Sequence, residues 1–463
     1  MFRKMKKLFE PADMTVGAPW KSIAMFSIPM IIGNIAQQFY STVDSDVVGK
    51  YEGDNALAAV GSAMPLLNLL YALFIGISAG VGIMVAQYYG ARAKEELSET
   101  IGNCITVTAI AALFIAVFSP LIIRPTLEIL HTPASIIDWC DTYLIISMLG
   151  GAGMAYYNIL SGVLRGLGDS TSALIYLLVA TVINIVLDLV FVAGLGLEVP
   201  GVALATVIAQ AVSAYLCLRK IIKMTGAFEL KKENLKLKKR YVQQIIALGL
   251  PSGVTQAIFC SAMILVQSLS NSFGEVFIAA NVIVMRVDGF AMMPNFSFGA
   301  ALTTYAGQNM GAGKFDRVVQ GAKQGTLMAV ACSTTITAII LLFGKYLMSI
   351  FTDTTELVEL SRYIMGILAV GYIAMAVTQS LSGIMRGAGD TVTPMWISII
   401  TTVFVRVPIA YIISFLTRTP ELPNGRFECI AVSLLASWLL GAVLTAFFYV
   451  KGKWKDKAMR MHA

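Results

Sequence analysis

Histidine is nearly missing from this chain: two occur in 463 residues, His131 and His462. That excludes histidine-based metal centres and Ser–His–Asp chemistry in practice. Cysteine is sparse. Cys104, Cys140, Cys217, Cys260, Cys332 and Cys429 stand singly in or beside apolar segments, with no CxxC pair, so neither a zinc cage nor a disulfide framework is encoded. Charge is scarce as well: Asp, Glu, Lys and Arg make up 13% of the chain, about half of what a soluble domain carries. With 57% hydrophobic residues there is too little polar side chain to coat a soluble surface, and disorder needs the opposite balance. An ATP-binding loop is lacking too. Gly307-Gln308-Asn309-Met310-Gly311-Ala312-Gly313-Lys314 has the glycine spacing off by one, and Phe315 stands where Ser or Thr must hold magnesium.

What the chain has is long apolar runs. Twelve segments, roughly 21–48, 57–88, 99–122, 137–163, 171–194, 201–222, 242–272, 277–306, 318–343, 358–384, 392–415 and 429–449, each suffice to cross a hydrocarbon core of about 30 Å. Backbone groups find no partner in lipid, so these are expected to be helices, here spans 1 to 12. The basic start, Met1 to Lys7, precedes an apolar run too long and too polar for a signal peptide, so span 1 is expected to be retained. If the N-terminus is cytoplasmic, 26 of the 34 Lys and Arg fall in inner segments, and Lys50, Arg124, Lys345, Arg362, Arg418 and Arg426 fall outside. The positive-inside rule therefore predicts a multi-pass plasma (inner) membrane protein with both termini cytoplasmic. The charge excess of +7 is this topological signal and calls for no nucleic-acid partner.

The halves repeat. Leu160-Ser161-Gly162-Val163-Leu164-Arg165-Gly166-Leu167-Gly168-Asp169 returns as Leu381-Ser382-Gly383-Ile384-Met385-Arg386-Gly387-Ala388-Gly389-Asp390, identical at seven of ten positions at an offset of 221. Pro29 and Pro251 correspond at 222. The reading is an N-terminal lobe over 1–222, a basic cytoplasmic linker over 223–241 and a C-terminal lobe over 242–463. The stretch Arg219–Arg240 holds nine Lys and Arg against Glu229 and Glu233, which makes it a topogenic linker first and an anionic-lipid contact second. An even number of spans per repeat gives parallel repeats, the architecture of secondary transporters that rock one half against the other.

Ionisable groups inside spans are costly and point to function. Asp44 lies about a turn and a half from the outer end of span 1. Asp188 is at similar depth in span 5, with Asn184 four residues earlier on the same face, and Thr206 shares that level in span 6. Two carboxylates, an amide and a hydroxyl suit a hard cation or a proton, so Na+ is expected at Asp44, Asn184, Asp188 and Thr206 if a metal ion binds. Asp46 faces away from Asp44 and reads as interfacial. Arg286 and Asp288 in span 8 cannot pair along their helix; Arg406 in span 11 could pair with Asp288, either as structure or as a substrate site. Gln37, Gln38 and Asn34 in span 1 and Asn158 in span 4 are cavity candidates or interhelical hydrogen bonds. Pro29 is a candidate hinge. The Arg-Gly-x-Gly-Asp pairs read as turns.

These residues resemble the multidrug and toxic compound extrusion (MATE) family over nearly the whole chain. The resemblance rests on Pro29…Gln37…Val43-Asp44…Val48-Gly49, on Ala56-Leu57-Ala58-Ala59-Val60-Gly61, on the repeated Arg-Gly-x-Gly-Asp and on Asn184-x-x-x-Asp188. It implies an all-α integral membrane fold of twelve helices in a V-shaped pair of six-helix bundles. It also implies export of cationic or amphipathic compounds in exchange for H+ or Na+, with no other cofactor. The sequence encodes no convergent nucleophile, base or metal set, so no catalysis is expected, and both lobes in one chain predict a functional monomer in lipid. By the same resemblance Asp44, Asn184, Asp188 and Thr206 form the cation site, Pro29 is the helix-bending proline, and Gln37 and Asn158 line the cavity. Span 7 offers Gln256 where one branch of the family has a Glu, so Gln256, Arg286 and Asp288 are retained as cavity candidates without a C-terminal acidic site. The alternative, a lipid-linked precursor flippase, needs a strongly cationic cavity, and Arg286 and Arg406 are the intramembrane cations here.

Overall fold

The computed structural model describes residues 12–129, 132–224, 226, 228–452 and 454–455, and the side chains of 39–58 and 65 lie outside that description. Among the described residues every regular element is helical. In chain order they are α1 (Pro19–Gly90), α2 (Lys94–Ile129), α3 (Ile137–Leu149), α4 (Ala152–Gly166), α5 (Ser170–Asp188), α6 (Glu198–Ile222), α7 (Lys239–Asn271), α8 (Glu275–Gly311) and α9 (Phe315–Ser349). They continue as α10 (Thr355–Ala369), α11 (Gly371–Gly387), α12 (Val392–Ile399), α13 (Val407–Leu416) and α14 (Glu428–Lys451). Nine helices are long and apolar enough to span a bilayer, and two bent pairs raise this to eleven among the described residues. Expected spans 1 and 2 both lie on α1, which continues as one helix through 49–56, where the sequence separates them.

The helices are apolar outward, the inverse of a soluble bundle. On α2, Leu113, Phe114, Val117, Phe118 and Leu121 are exposed at the spacing of one helical stripe, while Asn103, Thr108 and Ser119 are buried. Lipid removes the drive to hide the first set, and buried hydrogen bonds satisfy Asn103 and Thr108 in the second. Asn103 donates to Glu99 O at 2.9 Å and Thr108 to Cys104 O at 2.6 Å.

Three departures from regular helix follow the repeat or its neighbourhood. Span 4 is broken into α3 and α4, bent by 52°, and span 10 into α10 and α11, bent by 44°. Gly150 and Gly371, 221 residues apart, stand at these breaks, the first between its two helices and the second at the start of α11, and a Cβ there would strike Val207 and Trp438 respectively. Spans 5 and 11 each contain a π-helical stretch, Leu189–Gly194 and Ile400–Arg406. The Arg-Gly-x-Gly-Asp motif is a helix end, a turn and a helix start. Gly168 and Gly389 have φ of 88° and 91°, a region that disfavours any side chain. Asp169 then caps α5 by accepting from Ser172 N at 2.8 Å, and Asp390 accepts from Thr393 Oγ1 at 2.7 Å.

The chain condenses into two compact units. One is built on Ile32–Val254, the other on Met14–Ile31 with Thr255–Ala463. The linker thus folds with the first unit. Within it, a 3-10 turn at Lys232–Leu235 seats Asn234 against Gly102, Asn234 Nδ2 donates to Glu99 Oε1 at 2.6 Å, and Lys238 Nζ reaches the same oxygen at 2.8 Å. Lys238 N also donates to Asn103 Oδ1 at 2.7 Å. In the second unit the segment before α1 is held in the same manner. Gln308 Oε1 accepts from Met14 N at 2.9 Å, Lys314 Nζ donates to Thr15 O at 2.9 Å, and Gln324 Oε1 accepts from Trp20 N at 3.0 Å. Asn103 and Gln324 are 221 residues apart, so one device serves both repeats. The stretch that superficially resembled a phosphate loop is this clamp.

Candidate ion and substrate site

The first unit carries a small cavity, lined by Gln37 of α1, by Leu177, Ala180, Thr181 and Asn184 of α5, and by Thr206, Ala209 and Gln210 of α6. Its walls are brought together by small residues on α6, where Ala205 and Ala209 are buried, and by Ser213 Oγ donating to Tyr176 O at 2.9 Å. Asn184 Nδ2 donates to Thr206 Oγ1 at 3.4 Å, a long bond that still fixes the amide. Its other end, Oδ1, is buried and has no hydrogen-bond partner. Asp188 follows one turn later, 1% exposed, at the junction of α5 with the π-helical stretch.

The structure therefore gathers Asn184, Thr206 and Gln37 about one cavity, with buried Asp188 one turn beyond Asn184. The side chains of Asp44 and Asp46 lie outside the described residues. Pro29 sits within α1, in the second unit, three residues before Ile32. Asn158 is turned onto its own helix and donates to Met154 O at 2.9 Å, while its backbone carbonyl accepts from Ser78 Oγ at 2.6 Å. Gln256 faces Cys260 Sγ along α7 at 4.0 Å.

Two cavity residues escaped the sequence reading. Gln210 lies one turn after Thr206, and its buried Oε1 has no hydrogen-bond partner. Thr181 lies three residues before Asn184 and donates to Leu177 O at 3.0 Å. The signal was available as the i, i+4 pair Thr206-x-x-x-Gln210, which mirrors Asn184-x-x-x-Asp188. Two unpartnered amide oxygens and a hydroxyl in one small cavity form an acceptor-rich lining. Such a lining attracts a hard cation or a protonated group, because each unpaired oxygen retains its desolvation cost until something donates to it.

In the second unit, Tyr372 Oη donates to Asp288 Oδ1 at 2.8 Å across α8 and α11. No ion pair within 4.0 Å joins Asp288 to Arg406 among the described residues. Arg286 is exposed on α8.

Comparison with known proteins agrees with this arrangement. The MatE family profile matches residues 29–190 and again 251–412, so the repeat inferred from the sequence is the family's own unit. A probable multidrug resistance protein, YoeA of Bacillus subtilis, is 30% identical over 425 residues, covering 90% of this chain and 92% of its own. A probable multidrug resistance protein, NorM of Thermotoga maritima, is 24% identical over 448 residues, covering 95% and 94%. Among solved structures, one described as the outward-facing conformation of a multidrug resistance MATE family transporter superposes with a TM-score of 0.88 at 22% identity, covering 96% of this chain and 98% of that one.

Proposed function

This chain belongs to the MatE family of membrane transporters, and on that premise we propose that it is a secondary active exporter of cationic or amphipathic compounds driven by an inward flux of H+ or Na+. It is an integral membrane transporter and not an enzyme. The observation that carries the coupling is the α5–α6 cavity, with Asn184 Oδ1 buried and unpartnered one turn from buried Asp188. An ionised carboxylate there attracts a cationic substrate from the inner side. When an external proton or sodium ion neutralises it, that attraction disappears and the substrate leaves. Asp44 joins this site by the family pattern, and bending of α1 at Pro29 couples its occupancy to access. In the proposed topology both termini are cytoplasmic and the monomer is the working unit.

Purified protein in liposomes loaded with rhodamine 123, a cationic ester dye, tests the reading. Export under a sodium or a pH gradient, abolished in Asp188→Asn and Asp44→Asn, is the expected result and also names the ion. Transport that persists in both variants would sink the coupling scheme. The flippase alternative has little support, since Arg286 of α8 is exposed and Arg406 stands on span 11, between α12 and α13, which is not a diphosphate cradle.

A further inference from the structure

We propose that Arg406 forms an anion subsite in the second unit, where the guanidinium receives the carboxylate of a zwitterionic substrate whose positive end lies toward Asp288. This deepens the exporter reading and rests on it.

Arg406 lies near the middle of the span Val392–Leu416. Its Nε is buried without a partner, and no hydrogen bond reaches its side chain among the described residues. An arginine stays charged under all ordinary conditions, so a midspan guanidinium without a bonded carboxylate is a costly group. Asp288 is the nearby acid, but one of its oxygens is already held by buried Tyr372 at 2.8 Å, and it stands beyond 4.0 Å from Arg406. The two charges do not close into a pair. A structural salt bridge would have closed, because inside a membrane an open pair has the desolvation cost without the hydrogen bonds. An open pair of opposite charges fits a ligand that carries both signs. The planar fork of arginine matches a carboxylate with two parallel hydrogen bonds.

Two further observations point to a ligand. Arg406 is the last residue of the π-helical stretch Ile400–Arg406, and single wide turns of this kind re-aim a side chain and collect at functional sites. The repeat also places it well. The matched segments 29–190 and 251–412 correspond at 222 at both ends and the Arg-Gly-x-Gly-Asp motif between them at 221, which sets Arg406 at or one residue past the counterpart of Asn184. The first repeat presents an oxygen acceptor at this position and the second presents a cationic donor.

The test uses two dyes that differ by one ester. Rhodamine 123 carries a methyl ester and a net positive charge; rhodamine 110 is the same fluorophore as the free carboxylate. Liposomes are loaded with each and driven by the gradient that supports transport, using wild type, Arg406→Gln and Arg406→Lys. The expected result is a loss of about tenfold or more in rhodamine 110 export by Arg406→Gln, with rhodamine 123 export within about twofold of wild type. Arg406→Lys, which keeps the charge and loses the fork, falls between. Melting of Arg406→Gln in detergent is expected at or above the wild-type temperature, because no bonded partner is lost. Equal loss of both dyes, or a lowered melting temperature with loss of both, would make Arg406 structural and overturn the inference. Wild type that exports rhodamine 123 but not rhodamine 110 would overturn it while leaving the exporter reading intact. If wild type exports neither, the exporter reading fails for these dyes, and fluorescence anisotropy of rhodamine 110 on purified protein decides: binding lost in Arg406→Gln upholds the subsite, and absent or unchanged binding removes it.

Discussion

Asn184 and Gln210 each bury an amide oxygen with no protein donor, on facing helices of one cavity. A buried acceptor left unsatisfied costs about 1–3 kcal/mol, so such groups persist where a ligand completes them. Asn184→Ala is expected to raise the coupling-ion concentration for half-maximal transport about tenfold, the equivalent of one charge-assisted bond of roughly 1.5 kcal/mol. Gln210→Ala should act in the same direction and more weakly, since Gln210 is less deeply buried than Asn184. Both are read from initial export rates at graded sodium or proton concentrations. An unchanged ion dependence in both would move the ion away from α5 and α6. Asn158→Ala is expected to leave the ion dependence alone, because that side chain is satisfied by its own helix.

Helix pairs in this protein approach through small residues. A Cβ at Gly76 or Gly80 of α1 would run into the backbone of Gly253 or Gly249 of α7. The two GxxxG faces meet backbone to backbone, which lipid favours because close packing replaces the hydrophobic drive. Gly76→Val is therefore expected to destabilise by about 1–3 kcal/mol or to prevent assembly, whereas Gly61→Ala, whose Cβ meets open space, should melt as wild type does. Thermal melts of the two in detergent separate steric clash from a general intolerance of substitution. The linker has its own anchor. Buried Glu99 accepts from both Asn234 and Lys238, so Glu99→Ala should release 231–239 and speed tryptic cleavage at Lys231, Lys232 and Lys236 severalfold, with about 1–3 kcal/mol of stability lost. Unchanged cleavage would mean that packing of Asn234 against Gly102 holds the linker without the carboxylate.

At the scale of the molecule, the two repeats exchange the N-terminal parts of their first helices. α1 leaves one unit for the other between Ile31 and Ile32, and α7 does so between Val254 and Thr255. Each crossing lies just after a proline, Pro29 or Pro251, and a proline inside a helix removes one backbone bond and permits a bend. The proposed alternating-access cycle therefore requires both helices to flex at these points. Pro251→Ala is expected to slow rhodamine 123 export several-fold with no drop in melting temperature, and the double substitution with Pro29→Ala should be slower still. Full-rate export by the double variant would place the flexing elsewhere, with the Gly150 and Gly371 breaks as the next positions to test.

Composition and periodicity alone determined that this is a helical membrane protein with a parallel repeat. Scarce charge and apolar runs of span length leave no other fold in a solvent that cannot satisfy the backbone. The pair Asn184 and Asp188 was also legible, because i, i+4 spacing fixes one face of one helix. Three things depended on tertiary structure. Gln210 joined the cavity because α5 and α6 pack at that level, and a single polar residue in a span does not reveal its facing neighbour. Pairing of Arg406 with Asp288 was left open by the sequence; Tyr372, 84 residues from Asp288 along the chain, takes one of its oxygens. The basic run 223–241 looked like a boundary, since charge marks it as extramembrane, but its docking hangs on Glu99 and Asn103, two polar residues at the start of another helix. Local spacing carries the identity of an element and the face a residue takes. Which faces meet is decided by non-local packing, where the relevant partners are far apart in the chain and individually unremarked.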